Sequence, residues 1–372
     1  MKEGKFVVPF SKKEDQNCKV NLIKKTSPQE NPSKKEILNS LLTEYKDIFE
    51  TSKPMVGEKF KIVLEDGAKP VCVTNARHVP FKLRQPLKEE LDALVKEGII
   101  SKVTKPTDWV HPIVVEPKKG TNKIRLCIDF RKLNKVCKRE YYSMPTLLEV
   151  VQQINGDQAE IFSTFDAWKG YHQCELDEES KDLTCFITPH GRYRFETAPF
   201  GVNSISEHYE RRMTEALEDV KNLAKVVDDN VVYSRNMGDH VEHVRGFFET
   251  CRKKKIRLNK EKIKFAETSV KFAGMILSSE GYTIQPDIIK AIEEFPEPKS
   301  LTELRSFQGM ANQLAPFNAE LAKAMQPLRP LLKKDGTFPM NDVEQKGFQD
   351  AKKILKSNSV LSYYRPGSPL AL

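Results

Sequence analysis

No stretch of this chain is apolar for the roughly 20 residues that a membrane-spanning helix needs. Its first residues, Met1-Lys-Glu-Gly-Lys-Phe-Val-Val, lack the apolar core of a secretory signal. Cysteine is scarce and unpatterned: seven in 372 residues, at positions 18, 72, 127, 137, 174, 185 and 251, with no Cys-x-x-Cys pair. An odd, scattered set argues against a disulfide framework and against a thiolate zinc site, and suits thiols kept reduced. These absences predict a soluble intracellular protein, cytoplasmic or nuclear. Charge, by contrast, is plentiful. Lys and Arg outnumber Asp and Glu by 61 to 52, for a net charge of +9. A basic surplus favours polyanionic partners, nucleic acid among them. The length allows two or three domains or subdomains.

The most informative stretch is Leu223-Ala-Lys-Val-Val-Asp-Asp-Asn-Val-Val-Tyr-Ser234. β-Branched runs on both sides of Asp228-Asp229-Asn230 predict a tight hairpin with two adjacent carboxylates at its tip. Asp and Asn also serve ordinary surface turns, so this window alone leaves a plain turn and a metal site both open. A second unit upstream, Ile161-Phe-Ser-Thr-Phe165, is a β-prone run ending on Asp166. If the two strands lie side by side, Asp166 and Asp228 meet at one sheet edge. Hard divalent cations take oxygen ligands from one or two carboxylates plus substrate phosphates.

Along the chain, residues 1–35 read as a flexible linker rich in Lys, Glu, Ser, Asn and Pro. Ser33 and Glu36 form a capping-box pattern ahead of a helix. Phe60 to Leu64 alternates like a strand, and Pro86 to Gly98 reads as a helix with Leu91, Leu94 and Val95 on one face. Short strands are predicted at 99–100, 110–115 and 124–128, with Lys118-Lys119-Gly120 in the turn between the last two. That basic turn is either a phosphate clamp, with Arg125, or simply solvated. Asp129 and Arg131 are either functional or a structural ion pair. Pro145 to Val151 reads as a short helix, and 204–218 as an amphipathic one carrying Ile205, Tyr209 and Met213. A further helix is predicted to start at Asp239, capped with Glu242, and to bury Val241, Val244, Phe248 and Cys251. His240 and His243 on it are expected to face solvent. The basic run Lys253 to Lys264 follows. Helices capped by Ser300/Glu303 and Asn341/Glu344 close the chain.

Several of these pieces form an ordered set. Arg125-Leu-Cys-Ile-Asp-Phe-Arg-Lys-Leu-Asn134, Phe165-Asp-Ala-Trp-Lys-Gly-Tyr171, Ala198-Pro-Phe-Gly201, Val-Val-Asp228-Asp229 and Val270-Lys-Phe-Ala-Gly274 occur in that order. From roughly Ile37 onward the chain resembles the reverse transcriptase region of gypsy-type LTR-retrotransposon Pol polyproteins. The resemblance implies an α+β right-hand polymerase of fingers, palm and thumb, with a mostly antiparallel palm sheet packed on helices. It divides the chain into linker 1–35, N-terminal segment and fingers 36–160, palm and primer grip 161–285, and helical thumb or connection 286–372. The end falls before any RNase H domain. Asp66-Gly67-Ala68 lacks the hydroxyl residue of an aspartic protease core, so no protease is expected.

The implied activity is RNA-directed DNA synthesis from a primer 3′ end on an RNA or DNA template, by two-metal nucleotidyl transfer. Asp166, Asp228 and Asp229 become the catalytic carboxylates, with the Ala167 carbonyl as an extra ligand for two Mg²⁺, or Mn²⁺ in their place. Lys118, Lys119, Arg125, Tyr171, Phe200, Gly201 and Lys262 become contacts to the deoxynucleoside triphosphate. Tyr171 excludes a 2′-hydroxyl in this reading, which argues against an RNA-synthesising polymerase, although a core tyrosine gives the same sequence. Lys262 donates a proton to the leaving pyrophosphate. Phe272, Ala273, Gly274 and Met275 form the primer grip. Template-primer and other Pol products are the implied partners, and no membrane is. Val226 stands where the family usually has Tyr, Ile205-Ser206 where it has Ala-Pro, Ala273 where it has Leu, and Met340 where it has an aromatic. These departures keep a second reading open: a decayed remnant that binds nucleic acid without turnover.

Overall fold

The computed structural model describes residues 32–50, 53–118, 120–121, 123–314, 320–333 and 336–356. Most of the expected linker, together with Lys119 and the last residues of the chain, lies outside them. Helix α1 (Lys34–Glu44) starts at the capping box expected of Ser33 and Glu36, with both reciprocal bonds formed. After α2 (Asp47–Glu50) no helix or multi-residue strand is formed by the described residues until Phe81. The strand expected over 60–64 is reduced to isolated bridges, Phe60 to Leu176 and Leu64 to Cys137. Its alternation is real, since Phe60 and Ile62 are buried, but the Ile62 N–H donates to the Ser180 hydroxyl at 2.7 Å instead of to a neighbouring strand. Helix α3 (Phe81–Lys96) begins five residues before Pro86, which sits inside it. The carbonyl that Pro86 cannot serve belongs to Lys82, an exposed residue open to solvent. Leu87, Leu91 and Leu94 are buried, while Val95 lies off that face and is largely exposed.

Strands β1 (Ile100–Lys102), β2 (His111–Pro117) and β3 (Ile124–Ile128) follow, then the short helices α4 (Arg131–Asn134) and α5 (Leu147–Gln152). β4 (Ile161–Asp166) leads through a 3-10 turn at Gly170–Gln173 to α6 (Glu178–Leu183) and the hairpin β5 (Phe186–Thr188) and β6 (Gly191–Phe195). That hairpin does not join β4. It completes a five-stranded sheet in the order β1-β6-β5-β2-β3, antiparallel except where β2 runs parallel to β5.

Helix α7 (Ile205–Leu217) is followed by β7 (Leu223–Val226), β8 (Asp229–Ser234), α8 (Met237–Lys254) and β9 (Lys264–Glu267). These strands and β4 form an antiparallel sheet in the order β7-β8-β4-β9. α7 and α8 bury Tyr209, Met213, Val244, Phe247 and Phe248 in the same core as Phe165 and Val232. α8 starts two residues earlier than the sequence predicts. The Asn236 side chain accepts from the Asp239 N–H and takes the capping role that was assigned to Asp239 and Glu242. The solvent-facing reading of His240 is also corrected, because its ring is fully buried. It sits 2.6 Å from the Ser163 hydroxyl and 3.0 Å from that of Ser234, so two hydroxyls satisfy both ring nitrogens.

A meander of β10 (Ser269–Phe272), β11 (Met275–Ser278) and β12 (Gly281–Ile284) comes next. Helices α9 (Pro286–Glu293), α10 (Leu301–Leu314), α11 (Leu321–Ala324) and α12 (Asp342–Lys356) complete the described chain. At α12 the Asn341/Glu344 box forms in full, whereas at α10 Glu303 reaches back to the Lys299 N–H. A second core joins Phe307 and Phe348 to Phe272, Leu277 and Phe162. The whole is α+β with mostly antiparallel sheets packed on helices, as expected.

Candidate active site

The register of β4 against β8 places Asp166 directly opposite Asp229, one step beyond Phe165 and Asn230. β7 pairs with β8 through Val226 and Asp229, leaving Val227-Asp228 as a two-residue turn. Such turns need positive φ, and Val227 adopts it at 49° despite its β-branched side chain. Three hydrogen bonds hold the turn. The Ala167 N–H donates to the Asp228 carbonyl at 3.0 Å. Fully buried Asn230 donates from Nδ2 to the carbonyls of Phe165 and Asp228. Three aspartates thus share one sheet edge.

Their environments differ. Burial pushes Asp228 up to about 6; the Tyr209 hydroxyl opposes the rise, and the charges of Asp166 and Asp229 add to it. Asp229 is also raised, first by burial and then by Asp166. Asp166 is engaged by Lys262, whose Nζ donates to Oδ2 at 2.8 Å. That hydrogen bond holds the Lys262 ammonium above its usual range. With Asp166 turned toward Lys262 and Oδ1 of Asp228 buried beside Gly170, the three carboxylates diverge. Among the described residues no group of three or more His, Cys, Asp or Glu is gathered closely enough to hold a metal ion. The donor chemistry nevertheless fits a hard divalent cation, because the three carboxylates at this end of the sheet offer oxygen ligands only.

On one flank, Tyr171 packs its ring 4.8 Å from Phe200, and its hydroxyl lies 3.0 Å from Ser206 Oγ. Gly201 follows at φ 91°, with its carbonyl accepting from Asn134 Nδ2 at 2.8 Å. On the other flank a cleft of about 760 Å³ runs from Asp166 and Asp229 past Lys262 and Lys271 to Phe272. The side chains of Phe272 and Met275 are buried, and Ala273-Gly274 forms a half-buried turn at φ 44° and 92°. Lys118 and Arg125 lie on the hairpin of the other sheet, exposed, with Arg125 opposite Glu116. Asp129 is ion-paired: Arg131 and Arg77 both reach it, at 2.7 and 3.1 Å. The sequence reading missed Tyr209, Asn230 and Asn134. Only Asn230 carried a signal, through its place beside the two aspartates.

An antiparallel sheet packed on helices, with Asp166, Asp228 and Asp229 at one end of its central strands beside a cleft, is the architecture of a nucleic-acid polymerase. Residues 116–277 match the family model for reverse transcriptase (RNA-dependent DNA polymerase). The chain is 32% identical over 293 residues to the retrovirus-related Pol polyprotein from transposon gypsy of Drosophila melanogaster, an alignment covering 74% of this chain and 28% of that protein. Against the Pol polyprotein from transposon opus of the same organism it is 29% identical, covering 88% of this chain and 34% of that one. A foamy viral protease–reverse transcriptase, solved in complex with an RNA/DNA hybrid, superposes with a TM-score of 0.75 at 18% identity, over 92% of this chain and 46% of that one. The chain therefore belongs to the reverse transcriptase family and is similar to the corresponding region of gypsy-type LTR-retrotransposon Pol polyproteins. It spans about a third or less of the length of those curated relatives. No helix among the described residues is long and apolar enough to cross a membrane.

Proposed function

We propose that this region extends a primer 3′ end with deoxynucleotides on an RNA or DNA template. The observation that carries the reading is the β4–β8 register, which sets Asp166 against Asp229 with Asp228 on the adjoining turn, at the mouth of the cleft. In this reading 36–160 act as N-terminal segment and fingers, 161–285 as palm, and 286–372 as thumb or connection. Reverse transcriptases generally use divalent metal ions. Bound here, such ions would neutralise triphosphate charge and acidify the primer hydroxyl; we assign Mg²⁺, with Mn²⁺ as substitute.

The residues themselves supply the rest. Asp166, Asp228, Asp229 and the Ala167 carbonyl hold the cations. Tyr171, backed by Phe200, presents a ring edge where a 2′-hydroxyl would project. The backbone at Gly201 lies against the nucleotide, and Lys118 and Arg125 neutralise its phosphates from the fingers hairpin; Lys119, outside the described residues, is assigned the same role. Lys262 leaves Asp166 to give a proton to pyrophosphate. The turn at Ala273-Gly274 carries the primer-grip backbone, with Phe272 and Met275 anchoring it in the core. The basic surplus makes template-primer binding salt-sensitive and largely independent of sequence. The foamy viral relative's RNA/DNA complex supports a hybrid as ligand.

The test is primer extension on an RNA template with deoxynucleotides and Mg²⁺, with Asp228→Asn run beside the wild type. Extension by the wild type alone supports the reading, and equal extension by both sinks the site. A second reading, binding without turnover, draws on the divergent carboxylates and on Val226. It predicts template-primer binding at low salt with no extension.

A further inference from the structure

Tyr209 on α7 has no role in the reading above, yet its environment is unusual. The side chain is fully buried, and its hydroxyl has no hydrogen-bond partner of regular geometry. Oδ1 of Asp228 is in the same condition, buried and unpartnered. A buried polar atom without a partner is destabilising, so two such atoms in one place call for an explanation. They share a neighbour. A Cβ added at Gly170 would collide with Asp228 Oδ1 and would lie 2.9 Å from the Tyr209 hydroxyl. Both atoms therefore border the small space left by one missing side chain, and no other hydrogen-bonding group of the described residues is assigned to either. The Tyr209 ring is itself held edge-on to Tyr171, with centroids 5.3 Å apart.

We infer that Tyr209 is a positioning residue for the metal site: its hydroxyl donates to Asp228 Oδ1, fixing that oxygen inward so that the other carboxylate oxygen faces the cleft. Gly170 leaves the room that this bond requires. The same ring braces Tyr171 from beneath, so one buried side chain sets both the carboxylate and the ring that checks the sugar. The inference rests on the assignment of Asp228 as a metal-binding carboxylate.

Mn²⁺ binding to the whole chain, followed by electron paramagnetic resonance without nucleotide or primer, tests it apart from catalysis. Tyr209→Phe keeps the ring and removes only the donor. The expected result is Mn²⁺ affinity reduced about tenfold, the size of one hydrogen bond to a charged group, with ribonucleotide exclusion unchanged. Tyr209→Leu removes the ring as well and is expected to relax ribonucleotide exclusion in addition. Wild-type Mn²⁺ affinity in a folded Tyr209→Phe, judged by an unchanged circular dichroism spectrum, would overturn the inference. Asp228→Asn separates the two levels. If it lowers Mn²⁺ affinity while Tyr209→Phe does not, only the role of Tyr209 fails. If Asp228→Asn binds Mn²⁺ as the wild type does, the metal-site reading fails and the inference with it.

Discussion

Lys262 Nζ donates to Oδ2 of Asp166 at 2.8 Å, so an ammonium assigned to the leaving group rests on a carboxylate assigned to the metal. The pair spans the mouth of the cleft, and in the proposed reading it parts when substrate arrives. Because both side chains are within reach of water, the bond is a weak latch, worth no more than a surface ion pair of about 0–1 kcal/mol.

Removing that ammonium should slow chemistry more than binding. Lys262→Ala is expected to lower the single-turnover rate by about 10²-fold, the usual contribution of a placed general acid, with the template-primer Kd little changed. Lys262→Arg keeps the charge but holds its proton far more tightly, so most of the loss should remain. Full recovery with arginine would reduce the role of Lys262 to charge pairing.

Tyr171 packs on Phe200 and reaches Ser206, so its ring is held from two sides. Tyr171→Ala should admit ribonucleotides, with discrimination in kcat/KM falling at least roughly tenfold, whereas Tyr171→Phe should preserve it. Competitive incorporation of dATP and ATP reads this out directly. An unchanged ratio in the alanine variant removes the sugar-checking role.

Gly170 has no room for a methyl group beside Asp228. Gly170→Ala should displace the carboxylate and cut extension about tenfold or more, in line with the sensitivity of positioned groups to small shifts. The measurement is extension at saturating Mg²⁺, and wild-type rates would mean that Asp228 has another workable rotamer.

His240 makes stability depend on pH. Burial holds its pKa down at about 4, against 6.5 for a free imidazole. Between those values the unfolded chain binds more protons than the folded one, so stability is intact above about pH 6.5 and declines as pH falls toward 4. The shift corresponds to about 3 kcal/mol. His172 and His208 are held down to similar values, also chiefly by burial. His240→Gln should therefore flatten, without abolishing, the drop in melting temperature between pH 7 and pH 5. An unaltered slope would assign the dependence to the other two.

How much of this was legible beforehand depended on whether a feature is local. The hairpin around Asp228 and the capping boxes at Ser33 and Asn341 are local, and each formed where its residues indicated. The start of α3 was misplaced because Pro86 reads as a helix opener, yet only the surroundings of Lys82 decide whether a proline can sit further in. His240 looked solvent-bound because its two hydroxyl partners include Ser163, on a strand far away in the chain. The strand at 60–64 had the right alternation but finds only isolated bridges, from Phe60 and Leu64, to partners far along the chain, which no single segment can disclose. Tyr209 was correctly placed on a buried helix face, but its proximity to Asp228 emerges only when α7 packs beneath the sheet.

The insertion of β5 and β6 into the sheet of β1, β2 and β3 has a consequence for biosynthesis. On a ribosome, β1 and the inner edge of β2 must wait for Phe186–Phe195 before either is hydrogen-bonded, and β4 emerges in the interval. Pairings so distant in sequence close slowly and leave open strand edges exposed meanwhile. A nascent chain halted near residue 180 should therefore be open to proteases and chaperones along β1 and β2, and closure should come only once Phe195 has cleared the exit tunnel.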